Sequence, residues 1–198
     1  MTNEVFYISV NDAPAKRRIL EEGLRLFAER GLSATSIRDI ATATGYSNPA
    51  LYKHFKTKEA LAIILFERSY RELMTRVTLA IKQETGFAAQ FRAYIGAFAK
   101  FYEDHPHAMI FTTDNLAMLW PQISENMGRR TIITLTRNLL KHGRKEGLVA
   151  KDANLPLQLI LVIGMLDQMT RQLYLCALEG PATKHVRGVE RILRAGLA

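Results

Sequence analysis

Apolar residues recur every three to four positions through most of the chain, the spacing that lines one face of an α-helix. Over Pro14–Arg30, Leu20, Leu24, Phe27 and Ala28 share a face, with Ile19 and Gly23 beside them. Lys16, Arg17, Glu21, Glu22, Arg25 and Glu29 lie largely elsewhere. No stretch sustains the two-residue alternation and short, regular turn spacing of an all-β chain, and no internal repeat or low-complexity segment is present. Glycine and proline punctuate the helical blocks. Gly31 closes the first, because glycine takes the left-handed conformation without a side-chain penalty. The second opens at Thr35-Ser36-Ile37-Arg38-Asp39 and ends by Gly45; either hydroxyl can cap it, and Ser36 with Asp39 forms a capping-box pattern. The third, 47–55, opens at Ser47-Asn48-Pro49, a polar cap followed by a proline that a first turn tolerates. Thr57 caps a long fourth block through Gln83. Phe87–Asp104 stops before Pro106, 107–119 before Pro121, 123–146 at Gly147 and 155–178 at Gly180-Pro181; 183–197 is the last. The pattern predicts an all-α chain of about nine helices, three short and tightly spaced, the rest suited to a larger bundle.

Composition narrows this picture. With 198 residues, 48% hydrophobic and 23% charged, the chain is one globular unit or two small ones. The longest apolar stretch, 155–166, contains Pro156 and Gln158 and stops at Asp167, which predicts a core helix and no membrane span. Residues 1–10 carry Glu4 and no cationic start, unlike a secretory signal. A single cysteine, Cys176, excludes an internal disulfide framework and fits a reducing compartment, so the expected location is cytoplasmic. Net charge is +8, which points toward polyanions: nucleic acid, a membrane surface or acidic ligands. Residues 1–60 hold nine Lys+Arg against seven Asp+Glu, so the excess lies mostly further along the chain.

Residues 35–55 have helix-turn-helix spacing. Ile40 and Ala41 precede Gly45 by five and four residues, and Leu51 and Phe55 follow it by six and ten. Two helices crossing steeply need a small residue where they touch, here Ala41, and a residue that bends sharply between them, here Gly45; apolar residues on both sides then lock the angle. The second of these helices is the one that enters a DNA major groove. Lys58 adds a separate argument. The macrodipole opposes a cation in a first helical turn, so its place beside the Thr57 cap fits an anion held there; a phosphate would meet free amides and the ammonium together.

The stretch from Ile19 to Leu61 agrees with a known pattern over several spaced elements. These include Leu26-Phe27-Ala28-Glu29-Arg30-Gly31, Thr35-Ser36-Ile37-Arg38-Asp39-Ile40-Ala41 and Leu51-Tyr52-Lys53-His54-Phe55-Lys56-Thr57-Lys58-Glu59-Ala60-Leu61. It closely resembles the DNA-binding domain of TetR-family transcriptional regulators, over roughly the first third of the chain. The resemblance implies a helix-turn-helix domain at 1–61, joined by a long helix to a ligand-binding and dimerisation domain at 62–198. It implies that 47–55 is the reading helix, with Ser47, Asn48, Pro49 and Ala50 at base edges and Tyr52 and His54 at phosphates. Arg38 matches a second-helix position that reaches a base; Thr35 and Ser36 open that helix and are placed with the DNA-binding residues. Lys53 adds a cation to the reading helix, and Asn48 can pair with adenine or with a phosphate. Pro49 stands where many members have glycine and Ala50 where many have threonine, which leaves the base preference open.

For the remainder the resemblance implies an effector pocket and a dimer interface. Pocket walls are apolar with a few polar groups. The candidates are Tyr94, Phe98, Tyr102, Phe111, Asn115, Met118, Trp120, Met127, Thr131, Gln158, Met165, Gln168 and Met169, with core packing as the default reading of most. The last two helices carry apolar stripes, Leu159, Val162, Ile163, Leu166, Met169 and Leu173 on one and Val186, Val189, Ile192 and Leu193 on the other. These stripes either join a second subunit in a four-helix bundle or pack within one subunit. The cation-rich segment 129–151, with Arg130, Arg137, Lys141 and Arg144, reads as a solvated helix face in preference to a DNA or anionic-ligand site. His105-Pro106-His107 lacks a third ligand at matching spacing. No phosphate-cradling glycine loop, nucleophile elbow or paired catalytic carboxylate motif occurs, so no catalytic residue, metal or cofactor is expected. The expected function is a ligand-responsive regulator, a repressor, binding palindromic double-stranded DNA as a homodimer and released by a small-molecule effector, without membrane association. The alternatives are a constitutive DNA-binding regulator without an effector and a metal-dependent helical enzyme.

Overall fold

The ends of the early helices follow from local chemistry. α1 (Pro14–Arg30) starts with a proline whose missing N–H is no loss in a first turn, and ends at Gly31 with φ 86°. α2 (Ile37–Thr44) starts at Ser36, whose hydroxyl accepts from the Asp39 amide while the Asp39 carboxylate accepts from the Ser36 amide. Its end is Gly45 in the left-handed conformation, φ 76° and ψ 12°. α3 (Asn48–His54) and α4 (Lys58–Lys82) follow, then α5 (Phe87–Asp104), α6 (Pro106–Met127), α7 (Ile132–Lys145), α8 (Leu155–Tyr174) and α9 (Ala182–Leu197). The computed structural model describes residues 6–9, 11–128 and 131–198, with the side chains of 124–127 left outside that description. Among the described residues the chain is all-helical, and no helix is long and apolar enough to cross a membrane.

Three predicted boundaries move. α6 does not stop before Pro121 but runs through it to Met127. An interior proline forfeits one backbone hydrogen bond and strains a helix, yet Leu119 and Ile123 on either side are 1% exposed and hold the helix to the core. α7 begins at Ile132 and not at 123, since Gly128 turns with φ 59° and Thr131 forms a reciprocal capping box with Thr134. α8 ends at Tyr174 and not at 178, where Cys176 takes φ 56°, a conformation that helix ends usually assign to glycine.

The chain divides into two compact units, and the boundary between them falls inside α4, at Glu72 and Leu73. The first unit comprises the chain up to Glu72 together with His107–Asn126. Its core is aromatic. Phe27 stacks on Phe111 at 5.6 Å, Phe66 meets the same ring edge-on at 6.5 Å, and Tyr70 lies 5.2 Å from Trp120. The second unit, Leu73–Pro106 with Met127–Ala198, is organised around α5, which packs on α7, α8 and α9. Phe87, Phe91, Tyr94 and Phe101 of α5 are fully buried. Arg92 grips the buried Glu190 carboxylate of α9 with two N–H groups, at 2.7 and 3.3 Å. α7 comes close at Gly143, where an added Cβ would lie 2.6 Å from Val149 and 2.8 Å from Phe87.

One ionic node in the first unit joins three segments. The Asp12 side chain, 6% exposed, accepts from the Ser9 amide at 2.8 Å, Lys16 Nζ at 2.6 Å and Arg68 Nη1 at 3.2 Å. Arg68 also donates to the Tyr7 carbonyl at 2.6 Å, and Arg17 Nε to the Asp12 carbonyl at 2.8 Å. Burial alone would raise the Asp12 carboxyl, but hydrogen bonds from Lys16, the Ser9 amide and Arg68, with the Lys16 charge, hold it at about 2 against an ordinary 3.8. A depressed carboxyl pKa stabilises the fold above the unfolded value and loses that contribution as pH falls through the folded one. The node is therefore expected to contribute about 2 kcal/mol at neutral pH, lost between about pH 5 and pH 2. Urea unfolding of Asp12→Asn and the parent should differ by that amount at pH 7 and converge in acid; a gap that stays constant with pH would show that the carboxylate charge is not the cause.

Candidate nucleic-acid interface

α2, Gly45 and α3 form a rigid corner on α1. Ile40, Ala41, Leu51 and Phe55 are buried and fix the crossing of the two helices. The Thr35 hydroxyl, 2% exposed, donates to the Leu26 and Gly31 carbonyls at 3.2 and 2.9 Å and ties the start of α2 to the end of α1. At the other end of α2, Arg18 Nε donates to the Thr44 carbonyl at 3.1 Å, a tie that helical spacing alone did not reveal. The Thr44 hydroxyl turns back to the Ile40 and Ala41 carbonyls.

This corner leaves one face outward. Arg38, Ser47, Pro49, Tyr52 and Lys53 are exposed, and Asn48, Ala50 and His54 are half-buried beside them. Tyr52, at 52%, is among the most exposed large side chains, and Ser47 makes no side-chain cap bond to α3. Arg38 and Lys53 make no ion pair with any described residue, so their charge is available to a phosphate or a guanine edge. Two of the predicted residues have duties inside the fold. Thr35 faces inward as described, and Ser36 is engaged by Asp39, whose carboxyl is lowered by the Ser36 hydroxyl and amide.

Lys58 is half-buried at the start of α4, behind the Thr57 cap, whose hydroxyl accepts from the Ala60 amide at 3.0 Å. Its ammonium donates to the Leu32 and Thr35 carbonyls, both at 2.8 Å. These two dipoles offset the macrodipole that disfavours a cation there. One of its three N–H groups remains for an anion.

The remaining predicted residues are dispersed. Phe111, Asn115, Met118 and Trp120 belong to the first unit, where Phe111 and Asn115 are buried and Met118 is exposed; Asn115 donates to the Phe111 carbonyl at 2.8 Å. Tyr94, Phe98, Tyr102, Thr131, Gln158, Met165, Gln168 and Met169 belong to the second. There Thr131 is a helix cap, and Gln158 accepts from Arg144 at 2.8 Å. The Thr136 hydroxyl donates to the Ile132 carbonyl and so accepts from Tyr94 Oη, at 2.7 Å each. Burial raises the Tyr102 hydroxyl, with smaller effects from Cys176 and Tyr174. The Met127 side chain and Arg130 lie outside the described residues.

On α8 and α9, Leu159, Val162, Leu166, Met169, Leu173, Val189 and Leu193 are buried by their own chain, and Ile163 and Val186 are half-buried. Helical spacing marks an apolar face without saying which chain covers it. The uncovered apolar side chains are Leu157, Ile160 and Ile192, more than half exposed, and a side chain at Gly164 or Gly188 would meet nothing within 4 Å. His105 lies 3.0 Å from Arg76 and His107 3.8 Å from Glu29; among the described residues no three His, Cys, Asp or Glu are grouped to hold a metal ion.

Residues 19–63, which carry this corner, match the family described as bacterial regulatory proteins, tetR family. The chain is 31% identical over 138 residues to YerO of Bacillus subtilis, an uncharacterised HTH-type transcriptional regulator, covering 67% of this chain and 48% of that one. It is 35% identical over 108 residues to the HTH-type transcriptional repressor KstR2 of Mycolicibacterium smegmatis, covering 49% of this chain and 48% of the relative. The chain thus spans about half the length of these curated relatives. The solved structure of the TetR family transcriptional regulator PfmR from Thermus thermophilus matches at TM-score 0.75 and 26% identity, over 91% of this chain and 99% of that one. The corner and its sequence match lead to one assignment: residues 19–63 form a region of the tetR family of bacterial regulatory proteins, within a fold similar to that of a solved TetR family regulator.

Proposed function

We propose that the chain is a ligand-responsive transcriptional repressor and not an enzyme, acting in the cytoplasm, with residues 1–61 reading DNA and 62–198 binding an effector and a second subunit. The observation that carries this reading is the outward face of the α2–α3 corner, where Arg38 and Lys53 form no ion pair with a described residue and stand beside exposed Ser47, Pro49 and Tyr52. Two such faces about 34–36 Å apart fit successive major grooves of a palindromic operator. An effector that binds better to another spacing releases the dimer by shifting its population, a coupling typically worth about 1–3 kcal/mol. The name of the KstR2 relative supports the repressor sign.

Selection of bound sequences from random double-stranded DNA tests the reading directly, and a palindrome is the expected product. On that operator, Lys53→Ala should weaken binding to all sequences and reduce the salt slope by about one. Arg38→Ala or Asn48→Ala should relax one base pair per half-site by about 1–3 kcal/mol. Unchanged preference in both of the latter would remove base reading from these residues.

The dimer is proposed to cover Leu157, Ile160 and Ile192, with Gly164 and Gly188 admitting close approach. Ile160→Glu together with Ile192→Glu should give a monomer by light scattering and abolish tight operator binding. A parent protein that is itself monomeric at micromolar concentration would sink the dimer. A small apolar or amphipathic compound should raise the melting temperature and lower operator affinity together; a broad metabolite screen yielding none would favour a constitutive regulator.

A further inference from the structure

Contacts between the flanks of α1 and the first turns of α4 occur in reverse order along the two helices. Lys58 donates to the carbonyls of Leu32 and Thr35, beyond the end of α1. The middle is an apolar approach, where an added Cβ on Gly23 would lie 3.0 Å from Leu61 and 3.7 Å from Leu65. Arg68 donates to the Tyr7 carbonyl and to Asp12, before the start of α1. α1 therefore lies antiparallel on α4, clamped by cations ten residues apart, about 15 Å along the helix. The reading corner is bound to α1 through Thr35 and Arg18. Any rotation of α1 on α4 therefore carries α3 with it.

We propose that Asp12 and Arg68 are positioning residues for DNA recognition, setting the angle of the reading helix without touching DNA. The Arg68 guanidinium is directed at a backbone carbonyl and a carboxylate, and that carboxylate is itself shared with Lys16 on α1 and the Ser9 amide. Such an assembly of fixed partners from three segments resists rotation in a way that the smooth apolar contact at Gly23 does not. Arg68 lies four residues before the boundary between the compact units, close to where α4 passes into the second unit. The proposal rests on the DNA-reading assignment of the corner.

The test uses the full chain and the operator obtained by selection. Arg68→Gln, Asp12→Asn, the double variant and Arg68→Lys are compared with the parent at a temperature where circular dichroism shows each to be folded. Arg68→Gln and Asp12→Asn should each lower operator affinity about tenfold, and the double variant should be no weaker than the weaker single, because both break one node. Base preference and salt slope should stay those of the parent, since no phosphate contact is removed, and Arg68→Lys should recover part of the affinity. Parental affinity in the folded single variants, or additive losses in the double, would overturn the proposal and leave a purely stabilising node. A reduced salt slope in Arg68→Gln would overturn it in favour of a direct phosphate contact. A parent that binds no double-stranded DNA would bring down the regulator reading itself, and the proposal with it.

Discussion

The docking of α1 on α4 is the constraint on which the proposed DNA-facing surface depends. Two cations of α4 hold the chain on either side of α1, mostly through backbone carbonyls, which do not titrate or change rotamer. Between them Gly23 brings the helices close enough for Leu61 and Leu65 to pack on the α1 backbone. α2 and α3 are fastened to α1, α2 by the Thr35 hydroxyl at its start and Arg18 at its end, α3 by buried Leu51 and Phe55 at the Gly45 corner, and Lys58 of α4 adds a bond to the Thr35 carbonyl just before α2. The reading surface is therefore one rigid piece, mounted at two polar points.

Electrostatics on this piece is a matter of placement and not of total charge. The first 60 residues carry only a small share of the +8 excess. Most of their cations are engaged within the fold: Arg25 with Glu22 and Glu29, Lys16 with Asp12, Arg18 and Lys58 with carbonyls. Pairing of this kind on a surface adds little stability, but among the described residues it leaves Arg38, Lys53 and Lys56 as cations without an ion pair at the corner. The larger positive excess further along the chain acts at longer range, as a field that draws a polyanion inward.

The sequence reveals much of this fold, for reasons that differ by region. Helix periods and the Gly31, Ser36 and Gly45 signals are local, and local chemistry decides them, so α1 to α5 lie close to where the pattern puts them. Pro121 misleads because its cost is outweighed by the burial of Leu119 and Ile123, a tertiary effect that no window of sequence contains. The Thr131–Thr134 capping box, by contrast, lies within four neighbouring residues and is legible in the sequence. The stripes of α8 and α9 show the limit of periodicity: Leu159 and Val162 are buried by their own chain while Ile160, between them, is not. Arg68, Asp12 and Arg18 were invisible as a set because their partners are distant in sequence and partly backbone.

α4 has one further property. Its 25 residues contain neither glycine nor proline, and the boundary between the two compact units falls in its middle. Most domain boundaries lie in loops, whose softness allows each part to wander independently. Here the joint is a hydrogen-bonded rod, which resists bending and twisting. In this chain the connecting element is itself a helix, so the boundary between the units carries backbone hydrogen bonds where a loop would carry none.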